Sequence, residues 1–292
     1  MLVDLLPIVI NLEFKKVFKQ LAQAIYRNTP FLGLRKFYFN TYAHLVKNRK
    51  VIANVDGVDF ELELGELIDL ALYLGKFEPT VVNAIKHFCQ PGMVVFDIGA
   101  NIGAHGLRLG SIVGEKGCVY AFEPTTIAFT KLERNLALNP QFNVSTFRLA
   151  LSDEKQTKRT ISFRSSWRTD GSQKDSTCEV NFVRLDDWAK TNRVNHVDLI
   201  KLDVDGNEFG VLSGGRELLK RCQPTFLMEM VGPHFSDPSR NPFIFLESID
   251  YEFSNIDTGV KYSGAEEMSY LIASDDDKMT TSMNILAVAK RA

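Results

Sequence analysis

The residues best placed to do chemistry lie in the run Met93-Val94-Val95-Phe96-Asp97-Ile98-Gly99-Ala100-Asn101-Ile102-Gly103-Ala104-His105. An apolar stretch ends in an acid, two glycines let the chain turn, and an amphipathic segment begins. Glu123 ends a second apolar stretch 26 positions after Asp97 and is followed by Pro124. Acidic strand ends beside a glycine turn make a nucleoside site at the carboxyl edge of an open α/β sheet. A pyrophosphate loop normally reads G-x-G-x-x-G; here the spacing is D-I-G-A-N-I-G, and Asp97 would repel pyrophosphate. An acid in that place suits the ammonium of a methionine moiety. The expected cofactor is therefore S-adenosylmethionine rather than a nicotinamide dinucleotide. Gly99 and Gly103, with Asn101 between them, permit close backbone approach. The Glu123 carboxylate could accept both ribose hydroxyls in bidentate fashion.

A third strand is expected to end in Leu149-Ala150-Leu151-Ser152-Asp153. There Asp153 could accept from an adenine amino group, with apolar neighbours sandwiching the ring. Lys201-Leu202-Asp203-Val204-Asp205-Gly206-Asn207-Glu208 then places three carboxylates within six residues. Methyl transfer from a sulfonium needs positioning, exclusion of water and a group to take the acceptor's proton. Asp203 and Glu208 are candidates for that group, as is His234, five positions beyond Glu229. The same acids could hold a divalent cation that acidifies the acceptor, or could simply favour a helix N-terminus. No metal site is assigned. His105 follows the glycine loop and either lines the pocket or serves packing or helix-end structure. The direction of Lys201 is left open. Trp167, in a Ser-rich loop, is either a lid or a packing residue.

These residues need a scaffold of alternating strands and helices. Strands are expected at 93–97, 117–122, 144–149, 197–203 and 224–230, and helices at 102–112, 125–138 and 207–220. That alternation implies βαβ units and a mainly parallel sheet. Residues 251–256 and 284–289 are further strands, the last expected antiparallel at the sheet edge. Residues 154–184 read as strand-like at both ends around a mobile middle. Upstream, 51–55 and 58–64 form a hairpin about Asp56-Gly57. Residues 68–74 and 79–88 read as helices, as do 13–28 and 33–48. The division is an N-terminal helical and hairpin extension, 1–75, and a catalytic domain, 76–292.

The chain has 292 residues, 45% hydrophobic, with a net charge of −2, which argues against nucleic acid as a general partner. Residues 1–50 hold nine Lys or Arg against Asp4 and Glu13, so this segment is about +7 and the remainder about −9. Its helices are either a solvated face or a surface for anionic lipid or an anionic carrier; a homodimer contact is the other partner expectation. Met1–Ile10 is interrupted by Asp4 and Pro7 and reads as a packing or interface segment, not a membrane span or signal peptide. Four scattered cysteines, with Cys118 and Cys222 expected as buried thiols, fit a reducing, cytoplasmic compartment, with membrane-peripheral placement as the variant.

With these residues in hand, the chain resembles the FkbM-type methyltransferases of the class I, Rossmann-like fold. The pieces are FDIGANIGAHG (96–106), FEP (122–124), ALSD (150–153), VRLDDW (183–188), IKLDVDGNEFGVLSGG (200–215) and PTFLMEM (224–230). GVDFELELGE (57–66) and LYLGKFEPTVVNAIKHFCQPG (72–92) resemble the family's approach to its first strand. The resemblance implies a seven-stranded sheet with an antiparallel last strand, and by position it implies Asp97, Gly99, Asn101 and Gly103 around the methionine end, Glu123 at the ribose, and Asp153 with Leu151 and Ser152 at the adenine. It also implies methyl transfer to a hydroxyl of a sugar, glycan or natural-product scaffold. The alternatives are a cofactor-binding scaffold without turnover and an N- or C-methyltransferase. Asp205 stands where the family more often has Glu. Segments 154–180 and 232–283 are idiosyncratic and would encode acceptor specificity.

Overall fold

The computed structural model describes residues 46, 49–155, 157–167, 173–231, 238–273 and 282–290. The helices expected at 13–28 and 33–48, and the Met1–Ile10 segment, lie outside the described residues. A hairpin, β1 (Lys50–Val55) and β2 (Val58–Glu63), turns at Asp56-Gly57, where both φ angles are positive. Next come α1 (Leu67–Tyr73) and α2 (Pro79–Phe88). Pro79 opens α2 without losing an intrahelical bond, because the first helical N–H groups have no partner within the helix. Val81, Val82, Ala84 and Ile85 give the helix its buried face.

Strands and helices then alternate in order: β3 (Val94–Ile98), α3 (Gly106–Val113), β4 (Cys118–Phe122), α4 (Thr126–Ala137) and β5 (Val144–Phe147). After these come the short β6 (Ala150–Ser152), the long β7 (Thr157–Trp167) and β8 (Gln173–Arg184), and α5 (Leu185–Thr191). The remaining elements are β9 (Leu199–Leu202), α6 (Glu208–Gly214), α7 (Arg216–Cys222), β10 (Thr225–Val231), α8 (Pro242–Glu247), β11 (Tyr251–Asn255), α9 (Ala265–Ala273) and β12 (Ser282–Ala289).

Seven strands form the main sheet in the order β11-β12-β10-β9-β3-β4-β5. Neighbours from β10 to β5 are parallel, and β12 is antiparallel to both β10 and β11. This is the Rossmann-like class I architecture. β12 does not lie at the edge, as the sequence reading has it, but fits between β10 and β11. Its central place follows from its apolar content: Ile285 and Ala287 are fully buried against both neighbours. The central β9 is buried throughout, as expected of a strand covered on both faces. Its one polar side chain is Lys201.

Three further departures bear on the site. The third strand of the main sheet stops at Phe147, and Ala150–Ser152 belongs to a separate sheet of order β6-β8-β7. The ends of the segment expected to be mobile, Ser165–Trp167 and Gln173–Ser176, are strand, continuing β7 and β8. The single helix expected at 207–220 is two helices broken at Gly214-Gly215. A Cβ on Gly214 would sit 2.0 Å from the Ser152 carbonyl oxygen, so the helix end approaches β6 more closely than any side chain permits.

The described residues fall into two compact units, one holding β1, residues 60–77 and 164–175, the other residues 56–59, 78–163 and the chain from 176 on. The second contains the main sheet and a continuous core. In that core Trp188 lies against the rings of Phe96, Tyr120, Phe122 and Phe147. Cys89 is the buried thiol, whereas Cys118 and Cys222 are half-buried, and all four cysteines are free. Among the described residues no helix is long and apolar enough to cross a membrane.

Candidate functional site

The glycine turn is fixed by contacts that leave no latitude. Gly99 has φ +86°, and a Cβ there would lie 1.7 Å from the Asp203 carbonyl oxygen. Only glycine lets β3 turn this close to the end of β9. The Gly99 and Ala100 N–H groups both donate to the Phe122 carbonyl, at 3.0 and 2.9 Å. Asn101 takes the left-handed conformation, φ 50°, and its N–H donates to Glu123 Oε2 at 3.0 Å. Gly103 closes the turn by accepting the Leu107 N–H at 3.0 Å.

Glu123 ties this turn to the next. Its Oε1 accepts from the Thr125 N–H at 2.8 Å and from the Thr125 hydroxyl at 2.6 Å. A carboxylate offers about four lone-pair sites. Three are used, so one remains, on Oε2. The expected bidentate acceptance of two ribose hydroxyls would share these oxygens with two backbone N–H groups and the Thr125 hydroxyl. Burial, aided by the charge of Asp97, holds the Glu123 carboxyl above its ordinary range despite these hydrogen bonds.

Behind the turn lies a cluster of charges that sequence reasoning had not assembled. Asp97 is 0% exposed, and neither carboxylate oxygen has a hydrogen-bond partner. The Gly106 N–H lies nearby and favours the charge weakly, without reaching hydrogen-bond geometry. In the parallel register Asp97 stands opposite Lys201 of β9. The buried Lys201 ammonium donates to Asp203 Oδ2 at 2.9 Å. Burial alone would lower the Lys201 pKa. The charges of Asp203 and Asp97, with Glu78 adding to them, outweigh burial and raise it. Burial raises Asp97, opposed by Lys201 and His105. His105 is buried, and its Nε2 lies 2.7 Å from Glu78 Oε2. Burial opposes ionisation of Glu78, but the hydrogen bond and charge of His105, with Lys201, hold its carboxyl below the usual range. Register was the signal that could have found Lys201. For Glu78 it was the acid just before the Pro79 helix start.

The residues expected at the adenine end follow a different sheet from the one expected. Asp153 follows β6 of the side sheet, not the third strand of the main sheet. Leu151 and Ser152 are buried, so Leu151 belongs to the core. Asp153 Oδ1 accepts from the Ser152 hydroxyl at 3.1 Å, and Oδ2 accepts from Arg240 Nη1 at 2.9 Å. Arg240 also lies over the Phe209 ring, 4.9 Å from its centroid. Partial burial disfavours the Asp153 charge, but Arg240 outweighs it and the carboxyl falls below its ordinary range. The Leu151 carbonyl accepts from Asn207 Nδ2 at 3.2 Å, linking this end to the acidic turn.

The three catalytic candidates separate. The Asp203 side chain is 25% exposed and pairs with Lys201. Glu208 is buried and accepts the Gly206 N–H at 3.0 Å, so it stabilises its own turn. His234 lies outside the described residues. Asp205 is exposed with φ 49°, and Glu229 sits on β10 opposite Asn284. The Trp167 side chain is likewise outside what is described. Among the described residues no group of three or more His, Cys, Asp or Glu is placed to hold a metal ion.

The cradle fits a nucleoside joined to a short cationic chain. Gly99 leaves backbone bare, one lone pair remains on Glu123, and an acidic cluster backs the turn. A family model described as the methyltransferase FkbM domain matches residues 97–263. Two characterised relatives are similar in sequence. The 2-O-methyltransferase NoeI of Sinorhizobium fredii is 29% identical, across 46% of this chain and 62% of its own length. The hexuronic acid methyltransferase AglP of Haloferax volcanii is 30% identical, across 47% of this chain and 56% of its own. The match thus spans less than two thirds of either relative. Among solved structures, the FkbM methyltransferase of Methylobacillus flagellatus KT aligns at 15% identity and a TM-score of 0.41, covering 87% of this chain and 59% of that one. The family match covers more than half of the chain and begins at Asp97 itself, and the chain belongs to the FkbM family of S-adenosylmethionine-dependent methyltransferases.

Proposed function

We propose that the chain transfers a methyl group from S-adenosylmethionine to a hydroxyl oxygen of a sugar or glycan. The observation that carries the reading is the arrangement of Glu123 and Asp203 at one sheet edge around a turn that only Gly99 can make. The relatives' names, a 2-O-methyltransferase and a hexuronic acid methyltransferase, support oxygen on a sugar as the acceptor. The bound cofactor supplies a sulfonium methyl that is open to in-line attack. This chain's residues then supply position. The Glu123 carboxylate takes one ribose hydroxyl on its remaining lone pair. Asp153, ionised by Arg240, accepts from the adenine amino group. Gly99, Asn101 and Gly103 shape the turn along the methionine chain, with Asp97 as a charge sealed beneath it.

The acceptor oxygen must be held about 3–3.5 Å from the methyl carbon. Its proton passes to a base, and we assign that test to Asp203 and His234. Glu208 is left out, because its carboxylate is buried in its own turn. We further propose that the basic segment 1–50 meets an anionic carrier or membrane surface, supported by its charge of about +7. Four free cysteines support a cytoplasmic, reducing setting.

The test is transfer of an isotopically labelled methyl to a library of sugars and oligosaccharides, read by mass spectrometry. A labelled methyl ether on a sugar hydroxyl is the expected product. Label on nitrogen or carbon, or cofactor binding with no transfer to any member, would overturn the assignment. Within an active reaction, Asp203→Asn and His234→Ala should each be read for kcat at unchanged cofactor affinity. The one that leaves kcat untouched is not the base.

A further inference from the structure

We propose that Glu78 is the residue that accepts the ammonium of the cofactor's methionine moiety, a role the sequence gives most readily to Asp97. The inference rests on the cofactor reading above. Three carboxylates act on the Lys201 ammonium: Asp203, Asp97 and Glu78. Their accessibility separates them. Asp97 is 0% exposed, and Gly106 lies so close that a Cβ there would meet Asp97 Oδ2 at 2.7 Å. No ligand atom reaches it. Asp203 has exposed surface, but Lys201 sits on it at 2.9 Å, so its charge is already answered by a full cation.

Glu78 differs on both counts. Its side chain is 30% exposed, and its partner is the imidazole of His105 at 2.7 Å. The ring nitrogen meets one carboxylate oxygen, Oε2. The pair is also well placed along the chain. His105 stands at the N-terminus of α3, two residues past Gly103, so it carries Glu78 to the end of the glycine turn where the methionine chain must run. One oxygen is held by His105, which fixes the carboxylate's direction. The other oxygen is available to an ammonium. Asp97 and Lys201 then form the buried support beneath, and the exposed negative charge is that of Glu78.

The test is calorimetric titration of the wild-type chain and Glu78→Gln with three ligands. They are S-adenosylhomocysteine, its analogue lacking only the amino group, and 5′-methylthioadenosine, which lacks the whole amino-acid end. A charge-assisted hydrogen bond corresponds to about 10- to 100-fold in affinity. Glu78→Gln is expected to lose that factor for S-adenosylhomocysteine and to bind methylthioadenosine as the wild type does. Removing the amino group should weaken wild-type binding by a similar factor and the variant's hardly at all. Equal S-adenosylhomocysteine affinity in both proteins would overturn the proposal. So would parallel loss of all three ligands in a variant that melts like the wild type, since that marks a structural role. Glu78→Asp keeps the charge but withdraws it, and should weaken S-adenosylhomocysteine alone if Glu78→Gln does not fold. Failure of the wild type to bind either S-adenosylhomocysteine or methylthioadenosine would instead overturn the cofactor reading itself.

Discussion

Replacing Lys201 by methionine probes the charge cluster beneath the turn. The substitution keeps most of the side-chain volume and removes the cation. Two carboxylates lose their partner, but unequally. Asp203 is partly exposed and can take up water. Asp97 has no access to water and no hydrogen-bond partner. Breaking a buried ion pair by removing one member costs about 3–5 kcal/mol, because the other charge is stranded. The loss should depend on pH in a definite direction. The Asp97 carboxyl is already raised by burial in the native protein. A group whose folded pKa lies above its unfolded value binds protons more tightly when folded, so stability falls as pH rises between the two values. Without Lys201 the folded value rises further and the window extends upward. The variant should therefore be nearest to wild type at about pH 4 and furthest above neutrality. Urea titrations from pH 4 to 8, followed by tryptophan fluorescence, measure this through the midpoint at constant slope. Adding Asp97→Asn to Lys201→Met should restore stability, with a coupling of about 0.5–3 kcal/mol. A midpoint shift that is the same at every pH, or strict additivity in the double variant, would refute the reasoning.

Other consequences can be checked in the same preparations. Gly99→Ala must place a Cβ against the Asp203 carbonyl at positive φ, and should lose more than about 2 kcal/mol in denaturant; a neutral result would mean the turn is not this tight. Arg240→Ala breaks a half-exposed pair with Asp153, so stability should fall by less than about 1 kcal/mol. Its KM for S-adenosylmethionine should rise at constant kcat, and an unchanged KM would separate Asp153 from cofactor binding. Burial, with the Asp198 charge, pushes the Cys89 thiol up to about 12. At pH 8 it should be the last cysteine alkylated in the native protein, as read by peptide mass spectrometry; early labelling of Cys89 would contradict its buried placement.

Much of this site is legible in the residue order, for physical reasons. The strand ending at Asp97 is a continuous apolar run, and the glycines after it can only mark a turn. Pro79 sets the start of α2 to the residue. What stays hidden depends on contacts between distant segments. The alternating pattern of Ser282–Ala289 says strand, but not that it inserts between β10 and β11. Ala150–Ser152 continues the apolar pattern of β5, and only its pairing with β8 reveals a separate sheet. The direction of Lys201 is undecidable until β9 is set in register beside β3. Glu78 looks like a surface acid before a helix, and gains meaning only when His105, 27 residues on, meets it. In the β7–β8 arm, alternation of apolar and polar residues shows only at the two ends, around Ile161, Phe163, Val180 and Phe182, and the polar residues between carry no such signal.

Direct titration of S-adenosylmethionine into the wild-type chain and Glu123→Ala tests the central claim most sharply. Glu123 joins the Asn101 and Thr125 backbones and keeps one lone pair for a ribose hydroxyl. The account expects one cofactor bound per wild-type chain and a loss of about 10- to 100-fold in the variant. No binding to the wild type, or equal affinity in both proteins, would contradict it.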